Sequence, residues 1–423
     1  MPKLKNRLPA YRRHKGSGQA IVTLGGRDFY LGPYGSAGSR AEYARLTNEW
    51  LASGGLRVAD PSEALTVMQL LVAFGKHAQT YYVDADGKPT SELATYSTLV
   101  RRLRKAYGRT AAAEFGPLRL KAFRQTLITE GLSRGVVNRT VSRVRQIFRW
   151  GAENELMSAG VVEALRCVAG LRYGKTTANE TEPVRPVPDA LVDAVLPHVS
   201  PQVRAMIELQ RVTGMRSGEV CRMRGCDLNM TDKVWTYTPA RHKNLYRGHA
   251  RVVYLGPRAQ ELLRPWLRTN LQEHLFQPRE ADAWRRHQRH AARKTPRSYG
   301  NWPGSNIKRN PNKQPTDHYT SDTYLRAVTY GCELAFGMPA ELRRRPMDET
   351  TAERKTRYAK AREWRRENTW HPHQLRHNHA TMVKREHGLE VARVLLGHKH
   401  AAITEVYAEV DRDRAVQVVA KIG

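Results

Sequence analysis

His371-Pro372-His373-Gln374-Leu375-Arg376-His377, then Leu395-Leu396-Gly397-His398, then Tyr407 nine residues after that histidine, form the stretch around which the rest of the chain is organised. His373 and Arg376 are three apart, so on a helix they share one face. Gly388 reads as the stop of that helix, Leu389 to Leu396 as the next one, and Gly397 as a C-cap that places His398 at a helix end. Ile403 to Val410 reads as a short amphipathic segment carrying Tyr407. Imidazoles, a guanidinium and a phenol are thereby gathered over three short helices.

Cleaving a phosphodiester without a metal sets demands that these groups meet. Charge moves onto the non-bridging oxygens in the transition state, and forked Arg donors suit it. A nucleophile must be activated, and the leaving 5′-oxygen needs a proton from a general acid. Two more candidates lie upstream. Arg216 directly follows a helix that Ser200-Pro201 opens and Gly214 ends, and Glu219 follows on a new helix. Val234 to Tyr237 and Arg251 to Leu255 alternate as strands. Their connection, Pro239 to Ala250, holds Lys243 beside Arg241, His242 and Arg247. His371, His373, His377 and His379 alternate in a way that raises a metal site. No Glu lies within the run, however, and Arg376 would sit among the ligands, so no metal is expected there. His377 and His379 read as structural or supporting groups.

The chain has 423 residues, which calls for two or three domains. Lys and Arg number 71 against 40 Asp and Glu, giving a formal charge of +31 that favours a polyanionic partner. No long apolar run or lipidation signal points to a membrane. The basic leader Met1 to Gly16 lacks the apolar core of a secretory signal. Cys167, Cys221, Cys226 and Cys332 are scattered, with no Cys-x-x-Cys pair, which argues against thiolate zinc and a disulfide framework and suits a reducing cytoplasm.

Residues 1–60 read as a small separate unit. Gln19 to Leu24 and Arg27 to Gly32 flank a Gly25-Gly26 hairpin turn, and Ser39 with Glu42 makes a capping box for a helix ending near Ala52. Residues 61–170 read as all helix: about Val67 to Tyr82, Ser91 to Gly108, Pro117 to Gly131, and a fourth after Ser133 with Val137, Val141, Val144 and Phe148 at helical spacing. Between Arg101 and Arg149 there are thirteen basic residues and two acidic ones, where a solvated face would mix the signs. Arg139, Arg143, Arg145 and Arg149 are therefore expected to face phosphates. Residues 171–187 read as a linker long enough to let two domains close around a duplex. The larger domain spans 188–423, with an irregular, strongly basic segment at about 278–368.

Thr213-Gly214-Met215-Arg216-Ser217-Gly218-Glu219, His373-Gln374-Leu375-Arg376-His377, Leu395-Leu396-Gly397-His398 and Tyr407 resemble, in order and in the His-to-Tyr interval, the motif boxes of the tyrosine recombinase (phage integrase) family. The resemblance runs from Thr66 to Tyr407. It implies a mainly α fold with small β-sheets: a helical core-binding domain and a mixed α/β catalytic domain, here behind a β-hairpin/helix unit similar to an arm-type DNA-binding domain. It implies that Tyr407 attacks a DNA phosphate to form a 3′-phosphotyrosyl bond, which a 5′-hydroxyl later reverses, with no cofactor, ATP or metal. Arg216 and Arg376 would hold the phosphate, His398 would donate to it, Lys243 would be the general acid, His373 would assist, and Glu219 would orient Arg216 with His377 in support. The implied partners are a specific double-stranded DNA site, further copies of the chain in a tetramer on DNA, and accessory DNA-bending proteins at the nucleoid.

Two features depart from the family pattern. The interval from Phe276 to His373 is long, and the tail after Tyr407 carries Ala415, Val416, Val418, Val419 and Ile422, an amphipathic pattern suited to docking on a neighbouring copy. A type IB topoisomerase-like relaxase needs the same residues in one protomer. A DNA-binding regulator would need no phenol or proton donors, and a metal-dependent nuclease is the remaining rival.

Overall fold

A computed structural model of the chain describes residues 9–24, 26–52, 65–84, 86–240, 251–294, 298, 315–344, 346, 348–398, 400, 402 and 404. The chain divides into two compact units, Met1–Glu182 and Pro183–Gly423. Among the described residues both are built mainly of helices, and each holds one three-stranded antiparallel sheet.

In the first unit, β1 (Arg12–Arg13), β2 (Gln19–Leu24) and β3 (Arg27–Pro33) pair in that order, with Leu24 opposite Arg27 across the turn. The period-2 alternation turns Ala20, Val22 and Leu24 inward, where Tyr43, Leu46 and Trp50 of α1 (Ala37–Ala52) cover them. The start of α1 differs from the expected capping box. Ser36, not Ser39, accepts the exposed N–H, from Ser39 at 3.1 Å. Ser39 is already inside the helix with its hydroxyl 2.6 Å from that of Tyr11, and Glu42 pairs with Arg45 instead.

The helical part comprises α2 (Val67–Tyr81), α3 (Ser91–Tyr107), α4 (Pro117–Thr129), α5 (Arg134–Glu153) and α6 (Ala159–Arg166). Thr66 and Gln69 form a reciprocal capping box on α2. Val137, Val141, Val144 and Phe148 of α5 are buried among Leu70, Phe74, Leu103 and Phe115, as their spacing predicts. The segment read as the start of a linker is instead held on α5. The Asn138 side chain accepts from Leu171 N at 2.8 Å and donates to Leu171 O at 3.0 Å, and Arg134 pairs with Glu180 at 2.5 Å. A stretch without apolar period can still be fixed when side-chain amides satisfy its backbone.

The second unit holds α7 (Asp189–Val195), α8 (Pro201–Thr213), α9 (Ser217–Cys221), β4 (Leu228–Asn229), β5 (Trp235–Tyr237), β6 (Val253–Leu255), α10 (Pro257–Leu263), α11 (Pro278–Ala291), α12 (Ser321–Ala335), α13 (Ala340–Arg343), α14 (Thr351–Asn368), α15 (Pro372–His387) and α16 (Leu389–Leu396). Met206, Ile207 and Leu209 of α8, one face of the β5–β6 pair (Trp235, Tyr237, Val253 and Leu255) and Leu375 of α15 share one core. Within the basic segment 278–368, expected to be irregular, the described residues include α11, α12, α13 and α14, and Tyr324, Val328 and Cys332 of α12 belong to that core. Its helix starts were marked by Thr320 with Thr323 and Thr350 with Glu353, two capping boxes. The 18-residue α14 lacks an apolar period because, of its residues, Ala361 alone is fully buried among the described ones.

Candidate active site

The turn after α8 sets the first part of the site. Gly214 ends α8 at φ 61° and its N–H bonds Gln210 O at 2.9 Å. A Cβ there would lie 2.4 Å from Cδ2 of His379, so the position needs glycine both for its backbone and for its space. Buried Gln210 braces the turn by donating to Met215 O at 3.0 Å, and Tyr324 donates to the Gln210 side chain at 3.2 Å. Arg216 then caps α9. Its backbone N–H donates to Glu219 Oε2 at 2.8 Å, and its Nη1 to Glu219 Oε1 at 2.8 Å. Burial opposes charge on Glu219, but Arg251 and Arg216 outweigh it and hold the carboxyl below its ordinary range.

Helix α15 supplies the second part. Arg376 is fully buried. Its Nη1 donates to Gly214 O at 2.7 Å and its Nη2 to Leu396 O at 2.7 Å, so the guanidinium ties the end of α8 to the end of α16. Nη2 also lies 2.8 Å from His398 Nε2. Gly397, at φ 64°, closes α16 and turns His398 into this position. His398 Nδ1 lies 3.0 Å from the Thr404 hydroxyl. With Arg376 donating to Nε2, the proton of the neutral ring belongs on Nδ1. Burial, then the Arg376, Arg216 and Arg251 cations, push the His398 pKa down to about 3.

His373 stands one turn before His377, with ring centroids 5.3 Å apart. Burial, then His377, Arg376, His371 and Arg216, lower its pKa to about 4. Arg216, Arg376, His373 and His398 therefore share one electrostatic neighbourhood. His377 is buried on the same helix, whereas His379 packs against Gly214 and is held neutral, chiefly by burial. The alternating histidines thus divide between two sides of α15, because a helix spreads every second residue around its circumference. Lys243, with Arg241, His242 and Arg247, lies outside the described residues, as do Tyr407 and the tail that follows it.

Arg251 is the residue that sequence reasoning missed. It is 4% exposed. Its Nε lies 3.5 Å from Glu219 Oε1, and its Nη1 donates to Leu395 O at 3.0 Å. It thereby links the strand hairpin, the carboxylate that braces Arg216, and the end of α16 beside His398. The available signal was an arginine opening a strand that is otherwise apolar.

The four arginines expected on a phosphate-facing surface are not equivalent. Arg139 is exposed and has no acid partner among the described residues. Arg143 makes a forked pair with Glu92, from Nη2 to Oε1 at 2.9 Å and from Nε to Oε2 at 3.2 Å, and Arg149 pairs with Glu153 at 2.7 Å. Arg145 is half-buried and donates to Val168 O. Arg101, Arg104, Lys105, Arg109 and Lys121 are exposed and likewise without an acid partner among the described residues.

The sequence pattern described as "Phage integrase family" matches residues 189–414. No curated protein matches the chain. Among solved structures, a lambda integrase dimer bound to a COC' core site aligns with a TM-score of 0.51 at 15% identity, covering 98% of this chain and 97% of that one. A lambda integrase tetramer bound to a Holliday junction aligns at 0.51 and 15% identity, covering 96% of each chain. The Tn1549 transposon integrase with circular intermediate DNA aligns at 0.50 and 16% identity, covering 84% of this chain and 99% of that one. At these identities the likeness is one of fold.

Proposed function

The chain belongs to the phage integrase family, and from that premise we propose that it is a site-specific DNA recombinase that cleaves and rejoins strands through a covalent 3′-phosphotyrosyl intermediate. The observation that carries this reading is the buried network in which Glu219 braces Arg216 while Arg376 joins the ends of α8 and α16 to His398. Cations held close to a phosphate stabilise the charge that develops on it.

In this scheme Tyr407 attacks the phosphorus, the P–O5′ bond breaks, and Lys243 protonates the leaving 5′-oxygen. Arg216 and Arg376 hold the non-bridging oxygens. His398 becomes a donor to the phosphate if the proton moves to Nε2, and the Thr404 hydroxyl supports this by turning from acceptor to donor at Nδ1. His373, kept neutral, is suited to accept a proton near the nucleophile. The phosphodiester energy is kept in the phosphotyrosine, and a 5′-hydroxyl from a partner strand reverses the step. Residues 1–60 would then serve as an arm-type unit, 61–170 as the core-binding domain and 188–423 as the catalytic domain. The structural neighbours were seen on DNA as a dimer and a tetramer. By extension this chain would act as a tetramer on its duplexes at the nucleoid, integrating or excising a mobile element. Among the described residues no helix is long and apolar enough to cross a membrane.

A nicked suicide substrate tests the scheme. A covalent protein–DNA adduct should accumulate in EDTA and disappear in Tyr407→Phe while DNA binding persists. Cleavage that survives this substitution overturns it.

A further inference from the structure

Outside the candidate active site, one group of side chains converges without a role in strand exchange. His274, Asp317 and His318 each offer a ligand atom, and these atoms lie within 4.8 Å of one another. His318 Nδ1 is 2.8 Å from Asp317 Oδ1, and His274 Nδ1 is 3.5 Å from Asp317 Oδ2. The two imidazoles lie nearly parallel, with centroids 4.4 Å apart. An ion bound at about 2.0–2.2 Å by such donors in a tetrahedral arrangement has ligand atoms roughly 3.3–3.5 Å apart, so small shifts admit it.

The donors also stand on fixed backbone. His274 is bridged to Arg224, Arg268 donates to its carbonyl at 2.8 Å, and the next residue, Leu275, is fully buried with its N–H on Met223 O at 2.9 Å. On the other side, His318 precedes buried Tyr319 and the Thr320 cap of α12. Only Asp317 is largely open, at 70% exposure, which leaves a coordination position facing water. The nearby Arg224 cation, which opposes a metal, is answered by a forked pair with Asp227 at 2.9 and 3.0 Å.

We propose that His274, Asp317 and His318 form a binding site for a divalent transition ion of the zinc class, which clips the start of α12 to the segment ahead of α11. Two imidazoles and one carboxylate suit such an ion better than magnesium or calcium, which prefer all-oxygen shells. The clip closes the long connection through α11, and closing a long loop stabilises the fold by restricting the unfolded chain. It shares no residue with the Arg216–Arg376–His398 network, so its role is structural.

The test is zinc titration of the full chain after chelator stripping, read by competition with a chromophoric chelator and by thermal melting. Wild type should take up one tight equivalent of Zn2+ and melt at a higher temperature with it. Asp317→Asn and His318→Ala, both at accessible positions, should each weaken binding by about tenfold or more and lose the thermal gain. Co2+ in place of Zn2+ should give the intense visible absorption of a low-coordinate site in wild type only. No tight equivalent in wild type, or one that persists unchanged in both variants, overturns the proposal. The second outcome would place the ion on other histidines, such as the His371 to His379 run.

Discussion

Arg376 Nη2 sits 2.8 Å from His398 Nε2 while the same nitrogen donates to Leu396 O at 2.7 Å, so one buried guanidinium both builds the end of α16 and sets the protonation of the imidazole that follows it. A positive charge on His398 would face Arg376 across that distance.

This pairing predicts how stability depends on pH. His398 is held at about 3, and His373 and His379 at about 4, all below the unfolded value near 6.5. Below pH 6.5 the unfolded chain takes up protons that the folded chain refuses. Stability is therefore fully present above about pH 6.5 and is lost progressively as pH falls toward 4, by up to about 1.4 kcal/mol per pH unit for each histidine. Urea unfolding at pH 7, 5.5 and 4.5 should show this slope, and it should be shallower in His398→Asn. An unchanged slope in that variant would assign the acid sensitivity elsewhere.

Gly214→Ala should be among the most damaging small substitutions. The added methyl meets His379 at 2.4 Å and the backbone stays at a positive φ. A cost of about 2–4 kcal/mol is expected from strain and clash together. Adding His379→Ala should recover only the part due to the clash, a partition that a double-mutant cycle measures.

Arg251→Met should separate bracing from phosphate contact. It leaves Glu219 with Arg216 as its remaining cation, so a loss of about 2–3 kcal/mol is expected, below the roughly 3–5 for a fully orphaned buried charge. Adduct formation on the suicide substrate should slow, whereas the salt dependence of DNA binding should stay as in wild type. Equal cleavage rates in the folded variant would show that Arg251 only packs the core.

The basic surface of α3 and α5 predicts a contrast between arginines that are alike in sequence. Arg139→Ala combined with Arg104→Ala should weaken DNA binding and reduce the slope of log K against log salt by about 0.9 for each phosphate contact removed. Arg145→Ala should lower the melting temperature and leave that slope alone, because its guanidinium is committed to Val168 O. The same salt response in all variants would reject this surface as the phosphate-facing one.

The amino-acid sequence by itself determined the features that rest on local rules. Gly214, Gly388 and Gly397 mark helix ends because only glycine readily takes their positive φ. The valines of α5 mark a buried face by their spacing, and the order of the boxes around Arg216, Arg376, His398 and Tyr407 marks the family. The Thr66–Gln69 and Thr350–Glu353 capping boxes are equally local, but α14 carries no apolar period beside its box that would mark it as a helix. Only the tertiary structure decided which cations are spent within the fold and which remain on its surface. Arg145 and Arg139 are alike in sequence, yet one satisfies a carbonyl and the other faces solvent. Arg251 looks like a strand-edge residue until Glu219 and Leu395 are brought to it from distant positions. A charge is placed by its desolvation and its partners, and both are set by segments that are remote in sequence.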